Sequence, residues 1–167
     1  MARHVARWEL AGVAGPVVVV DVIRAFTTAA YAFGSGAAEI YLVDDVEEAL
    51  AFKDARPGTI ALGENRGLRP AGFDYPNSPA MVSRVDLTGR TLVQRTSAGT
   101  RGVVAAADAD RLWAASLACA SATARAVDTA GPGEPTYVIT GRFEDRPDAT
   151  GTDDEMTAEL IERARQG

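Results

Sequence analysis

The sequence predicts an α/β domain of three layers, α/β/α, with a mainly parallel central sheet covered by helices on both faces. Three observations carry that expectation. Strand-like and helix-like runs alternate from residue 16 almost to the end. The first of them, PVVVVD at 16–21, is an unbroken β-branched run, the pattern of a strand buried on both sides. The connections are mostly short, and 167 residues with no repeat or low-complexity linker suit a single domain over 1–167.

The elements follow in order. Further strands are expected at 38–45 (AEIYLVDD), 59–64 (TIALGE), 91–97 (TLVQRTS), 111–116 (RLWAAS) and 136–141 (TYVITG). Between them, 27–36 reads as a helix closed by glycines, and 45–55 as one capped by Asp45 with acidic residues in its first turn. The alanine-rich stretches 100–109 and 119–131 are helical too. The last helix opens on a capping-box spacing from Thr152 to Glu155, and Met156, Leu160, Ile161 and Ala164 are expected to line its buried face. One long irregular stretch, 64–78, interrupts the alternation. It runs into GFDYPNSP at 72–79, where two prolines and two aromatics stiffen the chain around Asp74, Asn77 and Ser78. Loops of that length in compact α/β domains usually serve function.

Composition narrows the partners. A net charge of -6 disfavours nucleic acid and anionic membranes, which need a basic face, while leaving room for a local cationic pocket. No apolar run is long enough for a membrane span, and a single cysteine, Cys119, fits a reducing cytoplasm. The only histidine, His4, reads as a solvent-exposed residue near the N-terminus. Triads and histidine-ligated zinc are therefore disfavoured, and chemistry falls to carboxylates, arginines, hydroxyls, amides and backbone. A parallel domain of this size often forms a homodimer, although no residue requires one.

In a parallel α/β fold, ligands sit at the carboxyl ends of the strands. That edge should collect Asp21, Glu64 and Asp74, hard oxygen ligands suited to Mg²⁺, each of which alone could equally be a cap, an ion pair or an Asx turn. RTSAGTR at 95–101 is a hydroxyl-rich turn with Thr96, Ser97 and Thr100 around Gly99, an ordinary cap or an anion cradle. Arg24, Arg101 and Arg142 add guanidinium forks for a small polyanion. Cys119 and Arg125 match the spacing of cysteine phosphatases, but a helix over that stretch places them on different faces.

Taken in order, VVVVDVIRAFTTAAYAFGSGAAEIYLVDDVEEA, GENRGLRPAGFDYPNSP, RTSAGTRGVVAAADADRLWAASLACASATA and the GRF of 141–143 resemble the 2-phosphosulfolactate phosphatase family over about residues 16–161. The resemblance implies a Mg²⁺-dependent phosphatase that releases sulfolactate, an intermediate towards coenzyme M. It implies catalytic roles for Asp21, Arg24, Glu64 and Asp74, and a metal held by Asp21, Glu64, Asp74 and Asp154. Thr27, Thr28, Arg66, Asn77, Ser78, Thr96, Ser97, Gly99, Thr100, Arg101, Gly141 and Arg142 would bind the substrate, a phosphorylated sulfonate or carboxylate. The chain departs from the family pattern at Ala98, Cys119 and Thr157, and it ends at Gly167 where family members usually run on. Those departures keep a second expectation open, a catalytically idle member that binds a small anion as sensor or carrier.

Overall fold

The computed structural model describes residues 3–13 and 15–167. Ten strands and six helices are described. The strands are β1 (Arg3–Val5), β2 (Pro16–Val20), β3 (Glu39–Val43), β4 (Ile60–Gly63), β5 (Tyr75–Pro76), β6 (Thr91–Arg95), β7 (Arg111–Ala115), β8 (Thr136–Ile139), β9 (Arg142–Phe143) and β10 (Arg146–Thr150). The helices are α1 (Ala25–Gly34), α2 (Val46–Ala55), α3 (Pro79–Val82), α4 (Gly99–Ala105), α5 (Ala120–Thr129) and α6 (Thr152–Arg165).

The expected parallel strands are all present, and they divide between two four-stranded sheets. One has the order β1-β8-β2-β7 and the other β3-β6-β4-β5, every pairing parallel. The side chains of β2 show how each sheet is covered. Val18 and Val20 pack with Ala124 and Val127 of α5 and Ala158 and Ile161 of α6. Val17 and Val19 face the other way, onto Ala25 and Phe26 of α1, in a cluster that Leu42 of β3 joins from the second sheet. Leu62 and Leu92 of the second sheet meet Ala32 of α1, while Ala61 and Val93 face Ala49 of α2. Helix α1 therefore packs against both sheets. Each valine of β2 is almost wholly buried, worth roughly 1.5–3 kcal/mol apiece.

Several local expectations are corrected. His4 is not on a solvent-exposed tail: it lies in β1 with its ring edge-on to Tyr137 at 5.7 Å. In α6, Met156 and Leu160 are exposed, and the buried positions are Asp154, Thr157, Ala158, Ile161 and Glu162. The capping box at Thr152 does not form: Gly151, left-handed at φ +64, is the N-cap, and no side chain caps the helix. Asp45 does cap α2, accepting from the amides of Glu47 and Glu48. The stiff 72–79 stretch buries Phe73 against Ala49 and Val93, then adds β5 to the sheet edge beside β4.

Candidate active site

Asp21 follows β2 and is buried, its backbone amide bound to Ala115 O at the end of β7. Its carboxylate takes two roles. Oδ1 accepts from the amide of Ala25, which fixes the start of α1 at 2.8 Å, and Oδ2 lies 3.2 Å from Thr140 Oγ1. Thr140, just past β8, has Val20 O as its nearest acceptor at 2.9 Å, and its hydroxyl oxygen lies between two carboxylates, since Asp154 Oδ2 stands 3.3 Å from the same oxygen. Asp154 is held by the amides of Val22 and Gly141, both at 2.8 Å. Burial, chiefly, raises the pKa of Asp21. Burial first, with the Asp21 charge also acting, pushes Asp154 up to about 7. Two carboxyl groups are thus held close together where neither ionises readily.

Glu64 follows β4 and forms a second centre. Its carboxylate accepts from the amides of Ser97 and Gly67, each at 2.5 Å, and from Ser97 Oγ at 3.1 Å. Ser97 Oγ accepts in turn from the Arg66 amide. Thr96 and Thr100 lock this turn from within, each hydroxyl accepting from the other residue's amide. Their side chains shape the backbone and do not stand open to a ligand. The turn leads to Gly99, whose missing Cβ would lie 2.6 Å from Asp21 Oδ2, so the two centres adjoin through this residue. Glu64 is also close enough for its charge to raise the Asp21 pKa.

The remaining expected residues fall elsewhere. Asp74 accepts from Lys53 Nζ at 2.8 Å and from the Ala61 amide, so it bridges α2 and β4. Arg142 pairs with Glu155 at 3.1 Å, with His4 3.6 Å from the same oxygen. Arg101 Nε stands 2.7 Å from Asp44 Oδ1, an ion pair in which the N–H is not aimed at the oxygen. Thr27 and Thr28 donate to Val22 O and Arg24 O, stabilising the first turn of α1. Asn77 is buried with Oδ1 unpartnered, its amide bound to Gly63 O, and Ser78 is the N-cap of α3 without a side-chain bond. Arg24 is exposed at the mouth of α1 and makes no ion pair among the described residues. Two residues were missed from the sequence. Thr140 reads there as part of the strand at 136–141, and Arg95 as part of the strand at 91–97 and the first residue of the 95–101 turn; in both cases only the neighbouring strand ends reveal the role.

The four expected metal ligands therefore do not share one centre, and among the described residues no three acidic, histidine or cysteine side chains cluster as metal ligands. Mg²⁺, however, commonly takes one or two carboxylates and completes its shell with water and substrate oxygens. Asp21 and Asp154 fit that smaller set: a divalent cation beside them would offset the cost of burying their charge, which is the main cause that raises both pKa values.

The sequence model of the 2-phosphosulpholactate phosphatase family matches residues 5–165. Relatives named probable 2-phosphosulfolactate phosphatase are similar in sequence. One from Bacillus subtilis is 41% identical over 110 residues, 66% of this chain and 48% of its own length. One from Thermus thermophilus is 40% identical over 146 residues, 87% of this chain and 59% of its own. One from Thermoplasma volcanium is 30% identical over 150 residues, 90% of this chain and 68% of its own. The chain spans about half the length of the first of these curated relatives and three-fifths of the second. Because the matched span runs from β1 into α6 and includes every residue of both centres, the chain belongs to the 2-phosphosulpholactate phosphatase family.

Proposed function

We propose that this chain is a Mg²⁺-dependent phosphatase that hydrolyses the phosphomonoester of a small phosphorylated acid. By the names of its relatives the acid is 2-phosphosulfolactate, giving sulfolactate and phosphate. One observation carries the reading: Asp21 and Asp154 converge on the Thr140 hydroxyl at the carboxyl ends of β2 and β8. Mg²⁺ bound there would neutralise charge on the phosphoryl oxygens as the ester bond breaks. The protein's own groups do the rest. Asp21 and Asp154 supply the negative charge that holds a cation and its waters. Arg24, with no ion-pair partner among the described residues, is placed to pair with phosphoryl oxygens. Asp74, committed to Lys53, supports the fold in this reading and takes no part in chemistry.

Phosphate release from 2-phosphosulfolactate, with Mg²⁺ and with EDTA, tests the proposal. Release that stops with EDTA and returns with Mg²⁺ is the expected result. Saturable binding of the compound without any release would replace the enzyme by an anion carrier, and absence of both would end either reading.

A further inference from the structure

Arg95 ends β6 and is only 9% exposed. Its guanidinium crosses the carboxyl ends of three strands: Nε donates to Asp44 O beyond β3 at 3.0 Å, and Nη1 to Glu64 O beyond β4 at 2.9 Å and to Asn65 Oδ1 at 3.1 Å. All three acceptors are neutral. The carboxylates around it have their nearest partners elsewhere, Asp44 at Arg101, Asp45 at the first turn of α2 and Glu64 at Ser97 and Gly67, although the Arg95 charge reaches Asp45 at longer range. None of them lies within ion-pair distance of Arg95, and Nη2 has no protein acceptor among the described residues. A buried charge is ordinarily paired, because burial removes the water that stabilised it. A guanidinium fixed by neutral carbonyls, with one nitrogen unused, is a preorganised receptor for an anion. From Arg95 the chain needs only four residues to reach Gly99 against Asp21, at most about 14 Å of backbone, and the Thr96–Thr100 lock shortens it.

We propose that Arg95 is a specificity residue of the same site, its Nη2 receiving the second acid group of the substrate, the carboxylate or sulfonate that is not hydrolysed. This rests on the phosphatase reading for its chemistry. The site then divides its work: the ends of β2 and β8 hold the phosphoryl group, and the ends of β3, β4 and β6 select molecules that carry another negative charge beside it.

The test compares phosphoglycolate, which has a carboxylate, with ethyl phosphate, which has none, in the full chain with Mg²⁺. The wild-type protein should favour phosphoglycolate in kcat/KM, and Arg95→Gln should lower that ratio about tenfold or more, mainly through KM. An unchanged ratio overturns the proposal. Should Arg95→Gln fail to fold, Arg95→Lys decides: it keeps the charge without the fork, and the ratio must still fall. If no phosphate is released from any compound, the phosphatase reading fails separately. Calorimetry then judges Arg95 alone, because phosphoglycolate must bind the wild-type protein about tenfold more tightly than the variant, and equal binding sinks the idea.

Discussion

Gly99 touches Asp21 because only hydrogen fits there: a Cβ would sit 2.6 Å from both Asp21 Oδ2 and Ala25 Cβ. Gly99→Ala should therefore displace the carboxylate and reduce phosphate release by about tenfold or more, in step with a lower melting temperature. Asp21→Asn removes charge with little change of shape, so it should cut kcat/KM by about a hundredfold or more while circular dichroism stays native. Asp154 makes a different prediction, about pH. Its folded pKa is raised to about 7, whereas an unfolded carboxyl titrates near 3.8. Between those values the native state keeps a proton that the unfolded state has lost. In the presence of EDTA, stability contributed by this group is thus full below about pH 4 and declines by up to roughly 1.4 kcal/mol per unit towards pH 7. Urea denaturation at pH 5 and 7 measures the slope, and Asp154→Asn should flatten it.

At the scale of elements, α6 shows where reading by hydrophobicity goes wrong. The expected face of Met156, Leu160, Ile161 and Ala164 retains only Ile161 inside. The helix is turned because its inner stripe is headed by Asp154, which is bound to Val22 and Gly141, and ended by a polar clamp. In that clamp Tyr137 Oη donates to Glu162 at 2.6 Å, and Arg165 joins Glu162 to Asp128. Burial, first, and the Glu162 carboxylate hold the Tyr137 phenol protonated well above its usual range. Tyr137→Phe leaves Glu162 short of a donor and should destabilise the fold by about 1–3 kcal/mol in urea melts. Met156→Gln, on the exposed side, should change stability by less than about 0.5 kcal/mol. In the 72–79 segment, stiffness serves packing of Phe73 and the edge strand β5, and Asp74 faces Lys53, so the loop expected to hold a ligand also does structural work.

For the molecule as a whole, the candidate site lies where the carboxyl ends of the two sheets adjoin: Asp21 and Thr140 follow strands of one, Glu64 follows and Arg95 ends strands of the other, and the Thr96–Gly99 turn runs between them. If a divalent cation binds only the folded arrangement, Mg²⁺ should raise the melting temperature of the wild-type chain, in proportion to ln(1 + [Mg²⁺]/Kd), and leave Asp21→Asn unmoved. An equal shift in both would remove Asp21 from the metal site. The sequence alone determined the six longer parallel strands and the five longer helices, because backbone periodicity and β-branching are local, but not the short elements β1, β5, β9, β10 and α3. It also determined that polar residues gather after the strands, because a parallel crossover must turn there. Only the tertiary structure decided which strands share a sheet, and which charge meets which partner. Asp154 reaches Val22 across 132 residues and Arg95 reaches Asp44 across 51, and contacts at such separations depend on how the whole chain is wound, which no local pattern of residues encodes.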